Sequence, residues 1–157
     1  MLARLKSLLA DLGGSPRAPK LPSADLTIAA AALLVEAARA DHQIGAAEVH
    51  AIVALLMRRF QLDRGDAEAM VTLGTKAQAE ASDLYKFTRL LKDRLDNDGR
   101  VQVIEMLWEV AYADGRLDDY EAALLRRVGG LLYVSDSDRG SARQRVLKRL
   151  GLDGAAN

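Results

Sequence analysis

A sixteen-residue segment that recurs 73 residues further along is the strongest constraint on the fold of this chain. Residues 33–48 align with residues 106–121, and six of the sixteen positions are identical. Each copy has the pattern of a helix end, a short turn and the start of a second helix. Chance identity between alanine-rich helices explains only part of these matches. The sequence therefore predicts a duplicated helix–turn–helix–helix unit.

The rest of the chain carries the same helical signal. Half of its residues are apolar and only 4% are aromatic, and alternating strand patterns are missing. A length of 157 residues is enough for one domain with its own core. The sequence predicts an all-α fold, a compact helical bundle of about seven to eight helices joined by short loops.

Glycine and proline divide the chain near its beginning. Gly13–Pro16, Pro19 and Pro22 separate a short leucine-rich helix from everything that follows. The predicted organisation is an N-terminal amphipathic helix and linker over residues 1–22, a helical domain over 23–151 and a tail over 152–157.

Membrane insertion and secretion are not expected from this sequence. The longest apolar stretch, Leu26–Val35, is about half the length of a membrane span. The N-terminal helix is short and supports at most weak peripheral contact with a membrane. Because no secretory signal pattern is present, the sequence predicts a cytoplasmic protein.

Charge and composition exclude several functions. The chain has no cysteine, which excludes a disulfide framework and a thiolate nucleophile. Its formal net charge is zero, which argues against nucleic acid as a partner, although the ends (1–20 and 126–157) are basic and the middle is acidic. Common catalytic motifs are also missing, so we expect a protein that is not an enzyme.

The acids shared by the two copies are the candidate site. Each copy has a glutamate on the first helix, an aspartate at the end of that helix and a second glutamate beyond the turn. The six residues are Glu36, Asp41, Glu48, Glu109, Asp114 and Glu121. An aspartate at a helix C-terminus opposes the helix dipole, and its spacing to the second glutamate matches positions 5 and 12 of a calcium-binding EF-hand loop. The pattern predicts a site for a divalent cation or for a basic partner.

Helix capping is the alternative explanation for the same acids. Asp118 and Glu121 fit a capping box, and Glu36 and Glu109 fit a solvated helix face. A second partial EF-hand match, over residues 94–105, has an arginine where the first ligand belongs. We therefore expect Asp96 to cap the following helix, with a turn at residues 97–99.

The last helix is basic along much of its length. Its cationic residues are Arg139, Arg143, Arg145, Lys148 and Arg149. The sequence predicts a solvated face, with an acidic partner or nucleic-acid phosphate as the alternatives.

Three features together resemble a known family. They are the run Glu105–Gly115, the segment Asp83–Thr88 and the paired Ala-Asp hairpins. Over about residues 24–150 they resemble the TerB-like proteins, which are associated with bacterial tellurite resistance and stress response. The TerB-like domain is similar to the N-terminal segment of a membrane-anchored DnaJ-type co-chaperone.

The resemblance implies a fold, a site and a function. It implies two pseudo-symmetric helical units and a divalent-metal site, for calcium or a similar cation, from Asp41, Glu48, Asp114 and Glu121. Glu36 and Glu109 would be further ligands. The first copy departs from the family pattern at His42, where glycine is usual. The function implied is a non-enzymatic binding module in metal or stress response, and the competing one is a co-chaperone-type adaptor for a protein partner that needs no metal.

Overall fold

The computed structural model describes residues 24–39, 45–113, 117 and 119–152. Within these residues the chain forms seven helices and no strand. In chain order they are α1 (Ala24–Ala38), α2 (Ala46–Phe60), α3 (Arg64–Glu80), α4 (Tyr85–Arg94), α5 (Asn97–Ala111), α6 (Asp119–Leu131) and α7 (Asp136–Arg149). The predicted all-α bundle is confirmed. The predicted N-terminal helix and residues 153–157 of the predicted tail lie outside the described residues.

Helix α1 lies at the centre of the bundle. It contacts α2, α3, α4 and α5, which explains why it is apolar nearly all round. Leu33, Leu34 and Val35 are completely buried. This helix is the apolar stretch of the sequence, and it is a core element of the fold.

Small residues let α3 approach α1 very closely. A Cβ atom built on Gly74 of α3 would lie 2.7 Å from the Cβ of Ala31 and 2.9 Å from the backbone nitrogen of Ala32. The two helices therefore pack with backbone nearly against backbone at this point, and any side chain at residue 74 would push them apart.

Side-chain caps set the beginnings of three helices. Asp63 and Asp96 each accept a hydrogen bond from the backbone N–H three residues later, at 2.7 and 2.8 Å, and Ser135 does the same at 3.0 Å. The predicted cap at Asp96 is confirmed. The prediction of a turn at residues 97–99 is wrong, because that cap places these residues in the first turn of α5.

None of the helices in the described ranges has both the length and the apolar character needed to cross a membrane.

Candidate functional site

The repeated segments fall on two helix pairs. The first copy covers the end of α1 and the start of α2, and the second covers the end of α5 and the start of α6. Asp41 and Asp114, the predicted ligands at the two turns, lie outside the described residues. The other four acids are described, and each has a different environment.

Glu36, near the end of α1, links the two copies. Its carboxylate accepts a hydrogen bond from Gln78 Nε2 of α3 at 2.7 Å and another from the hydroxyl of Tyr120 in α6. Gln78 in turn accepts from Arg39 Nη1 at 2.6 Å. Because Tyr120 directly precedes Glu121, this contact joins the first repeat to the second at the position of its predicted ligands.

A cleft of about 360 Å³ opens beside this contact. The end of α3, the segment before α4 and one face of α6 form its walls. Its polar lining consists of Glu36, Gln78, Ser82, Asp83, Tyr120 and Arg127. Both signs of charge and several hydrogen-bond donors and acceptors are thus available to a ligand in one place.

Burial and the neighbouring carboxylate both act on Tyr120. Partial burial and the hydrogen bond to Glu36 raise the pKa of the Tyr120 phenol to about 12, because both disfavour a phenolate next to a carboxylate. Tyr120 is therefore a neutral hydrogen-bond donor throughout the physiological pH range.

Glu48 and Glu121 occupy equivalent places at the starts of α2 and α6. Each is the third residue of its helix, where the positive end of the helix dipole stabilises a carboxylate. The Glu48 carboxylate folds back over Gly45, since a Cβ built on that glycine would lie 2.5 Å from Glu48 Oε2. Glu121 is buried. These positions agree with the capping explanation and leave the cation site a prediction.

Glu109 lies in a cluster of arginines. We call this cluster, formed by Arg58 and Arg59 of α2, Glu105 and Glu109 of α5 and Arg145 and Arg149 of α7, the arginine row. Glu109 Oε2 accepts from Arg58 at 2.5 Å, and its Oε1 accepts from Arg59 at 3.0 Å and Arg149 at 2.5 Å. Both of its oxygens are therefore engaged by guanidinium groups.

Glu105, one helical turn earlier, completes the arginine row. Its Oε1 accepts from Arg59 at 3.0 Å and from Arg149 at 3.3 Å, and its Oε2 accepts from Arg145 at 2.9 Å. Arg59 and Arg149 each bridge both glutamates. Arg58 lies at one end of the row and contacts only Glu109, and Arg145 lies at the other end and contacts only Glu105. Positive and negative groups therefore alternate along the row.

The two carboxylates of the row are buried, and for Glu105 the arginines favour the ionised form. Burial by itself would raise the pKa of Glu105, but hydrogen bonds from Arg59 and Arg145 outweigh it and hold that pKa below its ordinary value. Burial likewise opposes the charge on Arg59, and the bonds to Glu109 and Glu105 overcome it and raise its pKa. The ion pairs of the row therefore tie α2, α5 and α7 together.

Glu36 and Glu109 thus lie in two separate sets of contacts, Glu36 with Gln78 and Tyr120 and Glu109 in the arginine row. In the described part of the chain, no group of three or more acidic or histidine side chains is arranged to hold a metal ion.

The arginine row itself was not predicted. The last helix was expected to present a solvated face, but Arg145 and Arg149 pair with Glu105 and Glu109, and Arg143 Nε donates to the Tyr112 hydroxyl at 3.0 Å. A signal was present in the sequence, since the glutamates and these arginines are both spaced four residues apart and each pair therefore shares one helix face. Nothing in that spacing says which helices face each other.

These observations define an all-helical domain in which a hydrogen bond joins α1 to α6 and ion pairs join α2 and α7 to α5. A family model described as tellurite resistance protein TerB matches residues 27–144. Because this match covers most of the chain, the protein belongs to the TerB family, as its resemblance predicted. No curated protein and no solved structure matches the chain.

Proposed function

We propose that this protein is a non-enzymatic binding module of the TerB type that acts in the cytoplasm in a tellurite-resistance or related stress response. The observation that supports this function is the hydrogen bond between Glu36 and Tyr120. This bond brings the end of α1, in the first copy, to the start of α6, in the second copy. The open cleft lies next to it. The proposed binding surface includes residues from both copies, so a single copy could not form it.

We propose that the acids at the two turns, between α1 and α2 and between α5 and α6, bind a divalent cation, calcium or a similar hard ion. Asp41, Glu48, Asp114 and Glu121 would supply its carboxylate oxygens, which are the ligands that such ions prefer. Glu109 is a poor candidate for a further ligand, because the three arginines that hold it would repel a dication. Glu36 would orient the site through Tyr120.

A calcium titration followed by backbone amide NMR tests this proposal. We expect shifts at residues 45–48 and 119–121, and we expect Asp41→Asn combined with Asp114→Asn to abolish them. Asp136→Asn is the matched control, because the Asp136 side chain is 91% exposed and its ion pair with Arg139 lies within α7. The cation proposal fails if millimolar calcium or manganese leaves all these signals unchanged.

A protein-interaction adaptor of the co-chaperone kind is the second candidate function. The cleft beside Glu36 favours it, because charges of both signs and apolar walls suit a partner's side chain. Affinity capture separates the two candidates. An adaptor would retain its partner in chelator and lose it at moderate salt, whereas a cation-dependent module would lose it in chelator.

A further inference from the structure

The arginine row contains more positive than negative charge. Four guanidinium groups surround two carboxylates, so the row has a formal excess of two positive charges. Arg58 and Arg59 lie in the last turn of α2 and Arg149 lies in the last turn of α7, and the C-terminal dipoles of these helices contribute about half a negative charge each. The excess that remains is about one positive charge.

The positive charge of the row is on the outside. The Glu105 and Glu109 side chains are 9% and 7% exposed, whereas the side chains of Arg58, Arg145 and Arg149 are 59%, 49% and 44% exposed. Solvent therefore meets guanidinium groups, and the carboxylates that hold them lie beneath. A surface of this kind attracts anions.

The hydrogen-bonding capacity of the row is also in excess. Four arginines carry about twenty N–H donors, and two carboxylates offer about eight lone-pair positions. Arg59 Nε is buried, and the described residues offer it no hydrogen-bond partner. Most of the donors on Arg58, Arg145 and Arg149 are consequently available to another acceptor.

The arginines are held in place before any ligand arrives. Arg59 and Arg149 share the Oε1 atoms of both glutamates, so their guanidinium groups lie side by side. A surface arginine normally loses side-chain entropy when it binds an anion, and here the buried carboxylates have already ordered it. Planar guanidinium groups also match the oxygens of an oxyanion in pairs.

We propose that the arginine row is a binding site for a small oxyanion of the phosphate or sulfate type. The anion lies over the exposed edges of Arg58, Arg145 and Arg149 and accepts hydrogen bonds from the donors that the two glutamates leave unused. This site consists of residues from α2, α5 and α7 and shares none of them with the predicted cation ligands except Glu109.

Titration with inorganic phosphate at low ionic strength tests the site directly. We expect saturable shifts of the arginine side-chain N–H signals and of backbone amides in residues 105–109 and 145–149. Sodium chloride at equal ionic strength is the reference, because a diffuse ion atmosphere responds to both salts alike. Equal responses to phosphate and chloride, or no response to phosphate, would overturn the proposal.

Three variants make the test specific. Arg58→Gln and Arg145→Gln each remove a half-exposed cation and should weaken phosphate binding about fivefold. Arg89→Gln is the matched control, since the Arg89 side chain is 66% exposed and lies outside the row; it should bind as the unaltered protein does. If all three variants bind phosphate equally, the row is not the site.

Glu105→Gln gives a change of the opposite sign. It keeps the shape of the side chain and an oxygen that can still order Arg59 and Arg149, while it removes one negative charge and releases Arg145, so phosphate should bind more tightly. If the row has only a structural role, Glu105→Gln should not bind phosphate more tightly. Unchanged or weaker phosphate binding by a folded Glu105→Gln variant therefore contradicts the proposal. Circular dichroism establishes that the variant is folded. Asp41→Asn with Asp114→Asn should leave phosphate binding intact, which separates this site from the proposed cation site.

Discussion

The Tyr120 hydroxyl donates a hydrogen bond to the carboxylate of Glu36, 84 positions away in the sequence. Glu36 lies near the end of α1 in the first copy, and Tyr120 lies near the start of α6 in the second copy. The bond therefore couples two helix ends that the duplication alone would leave independent, and its consequences for titration can be measured.

Tyr120 should ionise at a higher pH than a tyrosine with an ordinary pKa. The phenol has its pKa raised to about 12 by burial and by Glu36. A raised pKa contributes stability that is complete below the ordinary tyrosine pKa of about 10 and is lost as the pH rises through the folded value. In an alkaline titration of phenolate absorbance, we expect a transition at about pH 12 to disappear in Tyr120→Phe and to move towards lower pH in Glu36→Gln. An identical transition in Glu36→Gln and the unaltered protein would contradict the contact.

Removing Glu109 should destabilise the fold much more than removing a surface acid. Loss of one partner from a fully buried ion pair costs about 3–5 kcal/mol, and the partial exposure of the arginines reduces our expectation for Glu109→Ala to roughly 2 kcal/mol. Asp93→Ala is the control, because the Asp93 side chain is 55% exposed and pairs with Arg89 at 3.9 Å. Its cost should be at most about 1 kcal/mol. Urea unfolding measures both values, and equal costs would show that the row contributes no special stability.

The stability of the protein should fall in acid, partly through Glu105. Its pKa is lowered in the folded state, so its contribution is present above the ordinary glutamate pKa of about 4.3 and is lost as the pH falls through the folded value. Glu105→Gln should be less stable at neutral pH and should lose less stability between neutral pH and acid. Glu68→Gln, at an exposed site in α3, is the control. Free energies of unfolding at several pH values give the comparison, and parallel curves for Glu105→Gln and the unaltered protein would refute it.

Gly74 should tolerate no side chain. Gly74→Ala improves helix propensity by about 1 kcal/mol, but the added methyl would meet Ala31 and Ala32 below 3 Å, and overpacking costs about 1–3 kcal/mol. We expect a net loss of stability and a lower melting temperature. Gly140→Ala is the matched control in α7, where nothing lies within 4 Å of the new methyl, and it should raise the stability by about 1 kcal/mol. A gain in both variants would mean that α1 and α3 are less tightly packed than described.

The helices themselves were largely predictable from local patterns. Apolar spacing and capping residues act over one or two turns, so the beginning of α3 behind Asp63 follows from its own neighbourhood. The same logic failed at residues 97–99, because a turn dipeptide and the first turn of a capped helix have similar sequences. The repeat and the family resemblance were likewise visible in the sequence, and the family match confirms the latter.

What only the tertiary structure decided is the partner of each polar side chain. The spacing of Glu105 and Glu109 places both on one face of α5, yet their arginines lie on α2 and α7, about 40 to 51 positions away. Helical periodicity tells which face of a helix turns inward, while the packing of whole helices determines what that face meets. By itself the sequence determined a helical bundle with repeated acids. The packing of α2 and α7 against α5 turned one of those acids, Glu109, into the centre of an arginine row.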